Sequence, residues 1–235
     1  MNQPIIQKEN QATRNSVSHF MNQVYLIMGL CLFLSSAMAY NVISHPGIAY
    51  QIITNQGLFL GLLAAQLVCV FAFRKVISRC SAVTTLSLLA FYSLLSGATL
   101  SVIVLAYTTD SIVQTLAICT ASFIGLSIVG YVTKRDLSPI GSFCIMGLIG
   151  LIILLFASII FPSLQANHIQ LAISAAGVLI FSGLTAYDTQ KIKSMYNPAA
   201  PKEIQNKMVL AGALTLYLDF INLFIHLLRL LGRRR

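Results

Sequence analysis

The chain has 235 residues, 57% of them hydrophobic and 9% charged, whereas a soluble domain carries about 25% charged residues. With a mean hydropathy of +0.82, that composition excludes a soluble globule and implies an all-α integral membrane protein. The formal net charge is +9, yet the basic residues fall between apolar runs, where they act as topology signals, and none forms an aromatic-interleaved patch suited to nucleic acid.

A membrane-spanning helix needs about 20 mostly apolar residues. Seven runs qualify, at roughly 24–43, 57–73, 83–107, 111–133, 139–161, 169–190 and 208–231. The chain therefore divides into a polar N-terminal tail (1–23), a seven-helix membrane domain (24–231) and a short basic C-terminal tail (232–235). Ala37 and Ala39 form an A-x-A pattern resembling a signal-peptide cleavage site, but the leader is long for one and the pair sits inside a run able to span. Pro46, Pro139 and Pro162 fall at loops or helix starts, and Asn197 to Pro201 (NPAAP) breaks the chain between the last two spans.

Charge sets the expected orientation. Lys8 and Arg14 precede the first span; Arg74, Lys75 and Arg79 follow the second; Lys134 and Arg135 follow the fourth; Lys191, Lys193, Lys202 and Lys207 follow the sixth. The alternate loops, Ser44 to Gln56, Tyr107 to Ser111 and Pro162 to His168, contain no Lys or Arg. The positive-inside rule then places the N-terminus in the cytoplasm. Seven spans leave the tail with Arg229, Arg233, Arg234 and Arg235 on the opposite side, against the same rule. A re-entrant last segment would resolve that conflict, but Met208 to Leu231 is long enough to cross and has no proline, which favours seven spans.

Six residues are acidic. Glu9, Asp110, Asp136 and Glu203 lie in tails or loops, leaving Asp188 and Asp219 embedded in apolar sequence. A charge near the bilayer centre costs at least about 2.5–3.5 kcal/mol, so such residues normally face a partner, a cavity or a pathway. On the last span Gly212, Thr215, Asp219, Asn222, His226 and Arg229 recur at intervals of three and four, a polar seam opposite Leu214, Leu218, Ile221 and Ile225. Ser174, Gly177, Thr185 and Asp188 share a face of the sixth span. Two such stripes in an apolar bundle pack most simply against each other. Carboxyls brought together there would share one proton and release it near neutral pH, making a pH sensor, or would hold a hard cation such as calcium in passage. The structural alternative has Asp188 meeting Lys191 or Arg74 at the membrane boundary and Asp219 bonding to hydroxyls. Asp219 lies about 16 Å into its span, so a tilted helix, or one extending past Lys193, is needed to bring the pair together.

Other polar positions suggest packing. His226 reads as a hydrogen-bonder within the bundle, and His19, His45 and His168 lie near span ends. Gln66, Ser93, Ser96 and Gly97 fit positions where helices approach closely. Cys31, Cys69, Cys80, Cys119 and Cys144 form no CxxC pair and suit packing. No GxSxG, HExxH or phosphate loop occurs, so no enzyme template and no resident cofactor is indicated.

The segments AYDTQKI (Ala186 to Ile192), LYLDFINLFIHLLRLL (Leu216 to Leu231), SGATLSVIVLAY (Ser96 to Tyr107) and TKRDLSPIG (Thr133 to Gly141) resemble the transmembrane Bax-inhibitor motif family, and most of all its bacterial, YccA-like branch. The likeness runs from about Asn22 to the C-terminus. It implies a bacterial inner-membrane protein with seven helices, the last surrounded by the others. Relatives include pH-sensitive calcium-leak proteins with paired aspartates on the sixth and seventh helices, positions matched by Asp188 and Asp219. The resemblance also implies an arginine latch from the second helix to the sixth-helix aspartate, for which Arg74 is the nearest candidate and Arg79 the reserve. Some YccA-like members carry asparagine at the position of Asp219, so its presence here favours a sensor. A second implied role is modulation of a membrane-anchored ATP-dependent protease, which could grip the polar tail.

Overall fold

The computed structural model describes residues 3–161, 163 and 166–234, with side chains from Asn15 onward, Ile159 excepted. Pro162 and the side chains of Lys8, Glu9, Arg14 and Arg235 lie outside the described residues. Those residues form α1 (Gln3–Ser44), α2 (Pro46–Thr54), α3 (Gln56–Arg79), α4 (Ala82–Leu105), α5 (Thr109–Val132), α6 (Ser138–Ile160), α7 (Asn167–Met195) and α8 (Lys202–Leu231). All but α2 are long and apolar enough to cross a bilayer, so the protein is an all-α membrane protein with seven spanning helices.

The structure departs from the sequence-based expectation in two places. The loop after the first span contains α2, nine residues long with Pro46 opening its first turn, where the missing N–H of proline does no harm. The polar leader belongs to α1: Phe20, Met21 and Val24 are buried, so the core begins before the run of apolar residues does. Ala37 and Ala39 lie inside that same unbroken helix. As the sequence favours, α8 is one continuous helix of 30 residues, about 45 Å long, and does not fold back as a hairpin.

The chain forms two compact units, Met1–Leu105 with Ile192–Tyr217 and Ala106–Lys191 with Leu218–Arg235. The last helix supplies core to both and is the most buried span: 61% of its most apolar window is inside the protein, against 50% for α4 and 6% for α3. The face carrying Leu214 and Ile221 is buried in protein as well, which is what a central helix requires.

In the first unit α1 and α3 pack on α4. Gly97 permits the closest approach, because a Cβ there would collide with the carbonyl of Ser35 and lie 2.9 Å from Met38 Cβ. Beside it, Ser35 Oγ lies 2.8 Å from the carbonyl oxygen of Ser93, 2.9 Å from that of Cys31 and 2.6 Å from the hydroxyl of Tyr217. Since Ser35 has one proton for two carbonyls, the Tyr217 hydroxyl donates to Ser35. Gln66 donates to Thr99 Oγ1 at 2.8 Å, tying α3 to α4. These are the close-packing contacts expected of Gln66, Ser93 and Gly97. The cysteines are free, and Cys31, Cys69, Cys119 and Cys144 are buried.

In the second unit the α5–α6 connection is pinned to α7. Both ends of the Gln190 amide take part: Oε1 accepts from the Leu137 N–H at 2.9 Å, and Nε2 donates to the Arg135 carbonyl at 2.8 Å. Asp136 accepts from the Ser138 N–H at 2.9 Å as α6 begins. Hydrogen bonds from Ser138 hold the Asp136 carboxyl below its usual range. After α8 the chain docks on the α4–α5 connection: the Arg233 N–H donates to Ser111 Oγ (2.9 Å), its carbonyl accepts from the Thr108 N–H (3.0 Å), and Arg234 bridges to Tyr107. The C-terminal tail therefore lies at the end of the molecule that carries the Tyr107–Ser111 connection.

Candidate functional site

Asp188 and Asp219 both belong to the second unit. Helix α7 runs past Lys193 to Met195, which sets Asp188 about 10 Å along the axis from the helix end. The two carboxyls come within hydrogen-bonding reach of each other. An ionised carboxylate only accepts, so a bond between two carboxyls requires that one carry a proton. Asp219 is 4% exposed, and its Oδ2 is buried with no hydrogen-bond partner among the described residues. Asp188 is half-buried and feels the charge of Lys191, whose ammonium lies 5.4 Å from the centre of the Tyr187 ring.

The hydroxyls and the amide of the expected polar seam are turned back onto their own helices. Thr185 Oγ1 donates to the Phe181 carbonyl (2.7 Å), Thr215 Oγ1 to Ala211 (3.1 Å) and Asn222 Nδ2 to Leu218 (2.8 Å). Their donor protons are thus used four residues back, as is common for hydroxyls in helices. His226 differs from its expected role as a hydrogen-bonder: its ring stacks on Phe181 at 5.6 Å, and Nδ1 is buried without a partner. Gly177 makes room for that ring, since a Cβ there would strike it.

Two polar atoms of this unit were not singled out from the sequence. Ser127 Oγ on α5 and Thr189 Oγ1 on α7 are buried with no hydrogen-bond partner among the described residues. Gly130, one turn beyond Ser127, lets α5 approach α7 so closely that a Cβ would meet the Ala186 carbonyl and lie 3.0 Å from Thr189 Cβ. The only sequence signal was adjacency: Thr189 follows Asp188, and Ser127 precedes Gly130 by three. Arg74 is exposed on α3 and makes no ion pair among the described residues. Among the described residues no three His, Cys, Asp or Glu side chains converge, so the acidic content of the site is the aspartate pair.

The site thus combines two neighbouring carboxyls with buried oxygen and nitrogen atoms that lack partners among the described residues. Such atoms are rare in native interiors and mark either bound water or a place where groups change partners. The sequence profile of the family described as "Inhibitor of apoptosis-promoting Bax1" matches residues 17–235. The inner membrane protein YbhL of Escherichia coli (strain K12) is 40% identical over 224 residues, 94% of each chain. An uncharacterised protein of Borreliella burgdorferi is 41% identical over 217 residues, 92% of each chain. An uncharacterised membrane protein of Streptococcus pyogenes serotype M1 is 34% identical over 99% of each chain.

Proposed function

Because this chain belongs to the Bax1-inhibitor family, and because its two embedded carboxyls meet, we propose that it is a pH-sensitive cation leak, for calcium, whose gate is the Asp188–Asp219 pair. The carrying observation is that pair, with a buried acceptor, Asp219 Oδ2, left unpartnered. While one proton is shared, α7 and α8 are joined at this point. Once it leaves, two like charges face each other in low dielectric, and the state is relieved either by separation of the helices or by a cation taken up between the carboxylates. Calcium is cargo in this reading, held in passage by Asp188 and Asp219.

The distribution of Lys and Arg supports a cytoplasmic N-terminus, and the likeness to YbhL supports a bacterial inner membrane. An Arg74 latch to Asp188 remains part of the proposal as the element that would hold the closed state.

The test is calcium flux into proteoliposomes of the full chain at several pH values, beside Asp219→Asn. A flux that varies between about pH 6 and 8 and loses that variation in Asp219→Asn is the expected result. An unchanged pH profile in the variant would remove the sensor assignment. If the folded protein gave no flux above protein-free liposomes, the leak reading would fail and modulation of a membrane-anchored ATP-dependent protease would take its place. The deletion that tests the protease reading must stop before Asn15, since Phe20 and Met21 are core residues.

A further inference from the structure

The second unit holds a cavity of about 700 Å³ among α6, α7, α8 and the C-terminal tail. Its polar wall carries Arg229, Arg234 and His226, with Asn167, Gln170 and Ser174 from the first turns of α7. Among the described residues no carboxylate side chain lines it. Arg229 is half-buried and makes no ion pair among the described residues. A guanidinium in that position needs an anion or water, and the positive end of the α7 dipole adds to the demand for negative charge. The opposite wall is apolar. Leu151, Leu154 and Leu155 of α6 and Leu171 of α7 line it, and Leu154, Leu155 and Leu171 are 38%, 58% and 46% exposed, as expected where a helix meets acyl chains.

We propose that this cavity binds an anionic phospholipid, its headgroup phosphate held by Arg229 and Arg234 and an acyl chain lying along Leu154, Leu155 and Leu171. A guanidinium matches two phosphate oxygens with a fork of parallel N–H donors, and basic pockets between spanning helices are suited to anionic headgroups. A free phosphate would satisfy the arginines but leave the leucine wall unused, and a zwitterionic lipid would bring a third positive charge to a site that already holds two. The site is separate from the proposed gate: Arg229 lies about 15 Å along α8 from Asp219.

The experiment uses the purified full chain in detergent, with bound lipid counted by native mass spectrometry and unfolding temperature followed by fluorescence. The probes are phosphatidylglycerol, phosphatidylcholine and inorganic phosphate at equal concentrations. Phosphatidylglycerol should bind and raise the unfolding temperature, while the other two should do so far less. Arg229→Gln should weaken phosphatidylglycerol binding about tenfold, the loss expected for one charge-assisted contact. Arg229→Lys, which keeps the charge without the fork, should fall between the two. Arg234→Gln, at an exposed position whose backbone bridge to Tyr107 the substitution leaves in place, should weaken binding about threefold, and Lys75→Gln, on α3, should not change it. Equal binding of phosphatidylglycerol and phosphatidylcholine, or unchanged binding in both Arg229→Gln and Arg234→Gln, would overturn the proposal. Inorganic phosphate acting as well as the lipid would overturn it too, leaving a free-anion site. Should Arg229→Gln fail to fold, Arg234→Gln and Arg229→Lys decide.

Discussion

Tyr217 and Asp219 stand two residues apart on α8, and both are buried, yet they serve opposite ends. Around Tyr217 the polar atoms are satisfied: its hydroxyl meets Ser35, and Ser35 reaches two backbone carbonyls. In the second unit they are not, for Asp219 Oδ2, Thr189 Oγ1, Ser127 Oγ and His226 Nδ1 are all buried without partners among the described residues. A fully paired network fixes one packing, whereas a partly paired one leaves the helices with more than one arrangement of similar energy. The first cluster is where the fold is specified, and the second is where a change of state costs least.

The largest effect should come from closing that difference at the carboxyls. Replacing Asp188 and Asp219 together by Asn removes the shared proton and the charge it releases, so the pH dependence of calcium flux should vanish between about pH 6 and 8. The unfolding temperature should stay near that of the parent or rise, because a buried pair of like charges is gone. A double variant that keeps its pH response would detach these residues from sensing. Next in size is Ser35→Ala, which strips three contacts at once and leaves the Tyr217 hydroxyl without its 2.6 Å partner. Stability should fall by about 1–2 kcal/mol, read as a lower unfolding temperature in detergent, while the pH profile of flux keeps its shape.

Smaller still is the effect of freeing the α5–α6 connection, which Gln190 holds two residues beyond Asp188. Gln190→Leu removes both amide bonds that pin Arg135 and Leu137. Loss of about 1 kcal/mol is expected, with faster amide hydrogen exchange confined to residues 133–138. Exchange that quickens throughout α7 instead would show that Gln190 supports the helix rather than the loop.

The fold was legible wherever run length decides it. Each spanning helix was located from about 20 apolar residues in sequence, and α8 was recognised as one crossing because nothing in Met208 to Leu231 breaks a helix. What was missed depends on groups that carry little local signal. Nine residues opened by Pro46 and Gly47 are too short to span and read as a loop. Phe20 and Met21 are buried because neighbouring helices cover them, and the polar residues around them hide that. Asp188 and Asp219 stood out because charge is rare in this chain, while Ser127 and Thr189 did not, since hydroxyls in spanning helices are ordinary. Periodicity sets the α8 seam on one face, but the Thr215 hydroxyl and an Asn222 N–H donate to their own helix backbone, which periodicity cannot reveal. The docking of Arg233 and Arg234 on the α4–α5 connection joins segments more than a hundred residues apart and had no sequence signature.

The smallest expected effect is the sharpest divider between the two clusters. Thr189 and Ser35 are both buried hydroxyls on spanning helices, 0% and 2% exposed, and a count of buried polar groups would treat them alike. Their partners differ, since Ser35 has three and Thr189 Oγ1 has none. Thr189→Val keeps the shape of the side chain and replaces an unpaired hydroxyl by a methyl, a change that removes a desolvation cost without breaking a bond. The unfolding temperature of Thr189→Val should therefore equal or slightly exceed that of the parent, where Ser35→Ala falls. If Thr189→Val instead lost about 1 kcal/mol or more, the hydroxyl would be bonded to a buried water in the folded protein. One of the four unpaired atoms of the second unit would then be paired, and the contrast with the cluster around Tyr217 would narrow to Asp219 Oδ2, Ser127 Oγ and His226 Nδ1.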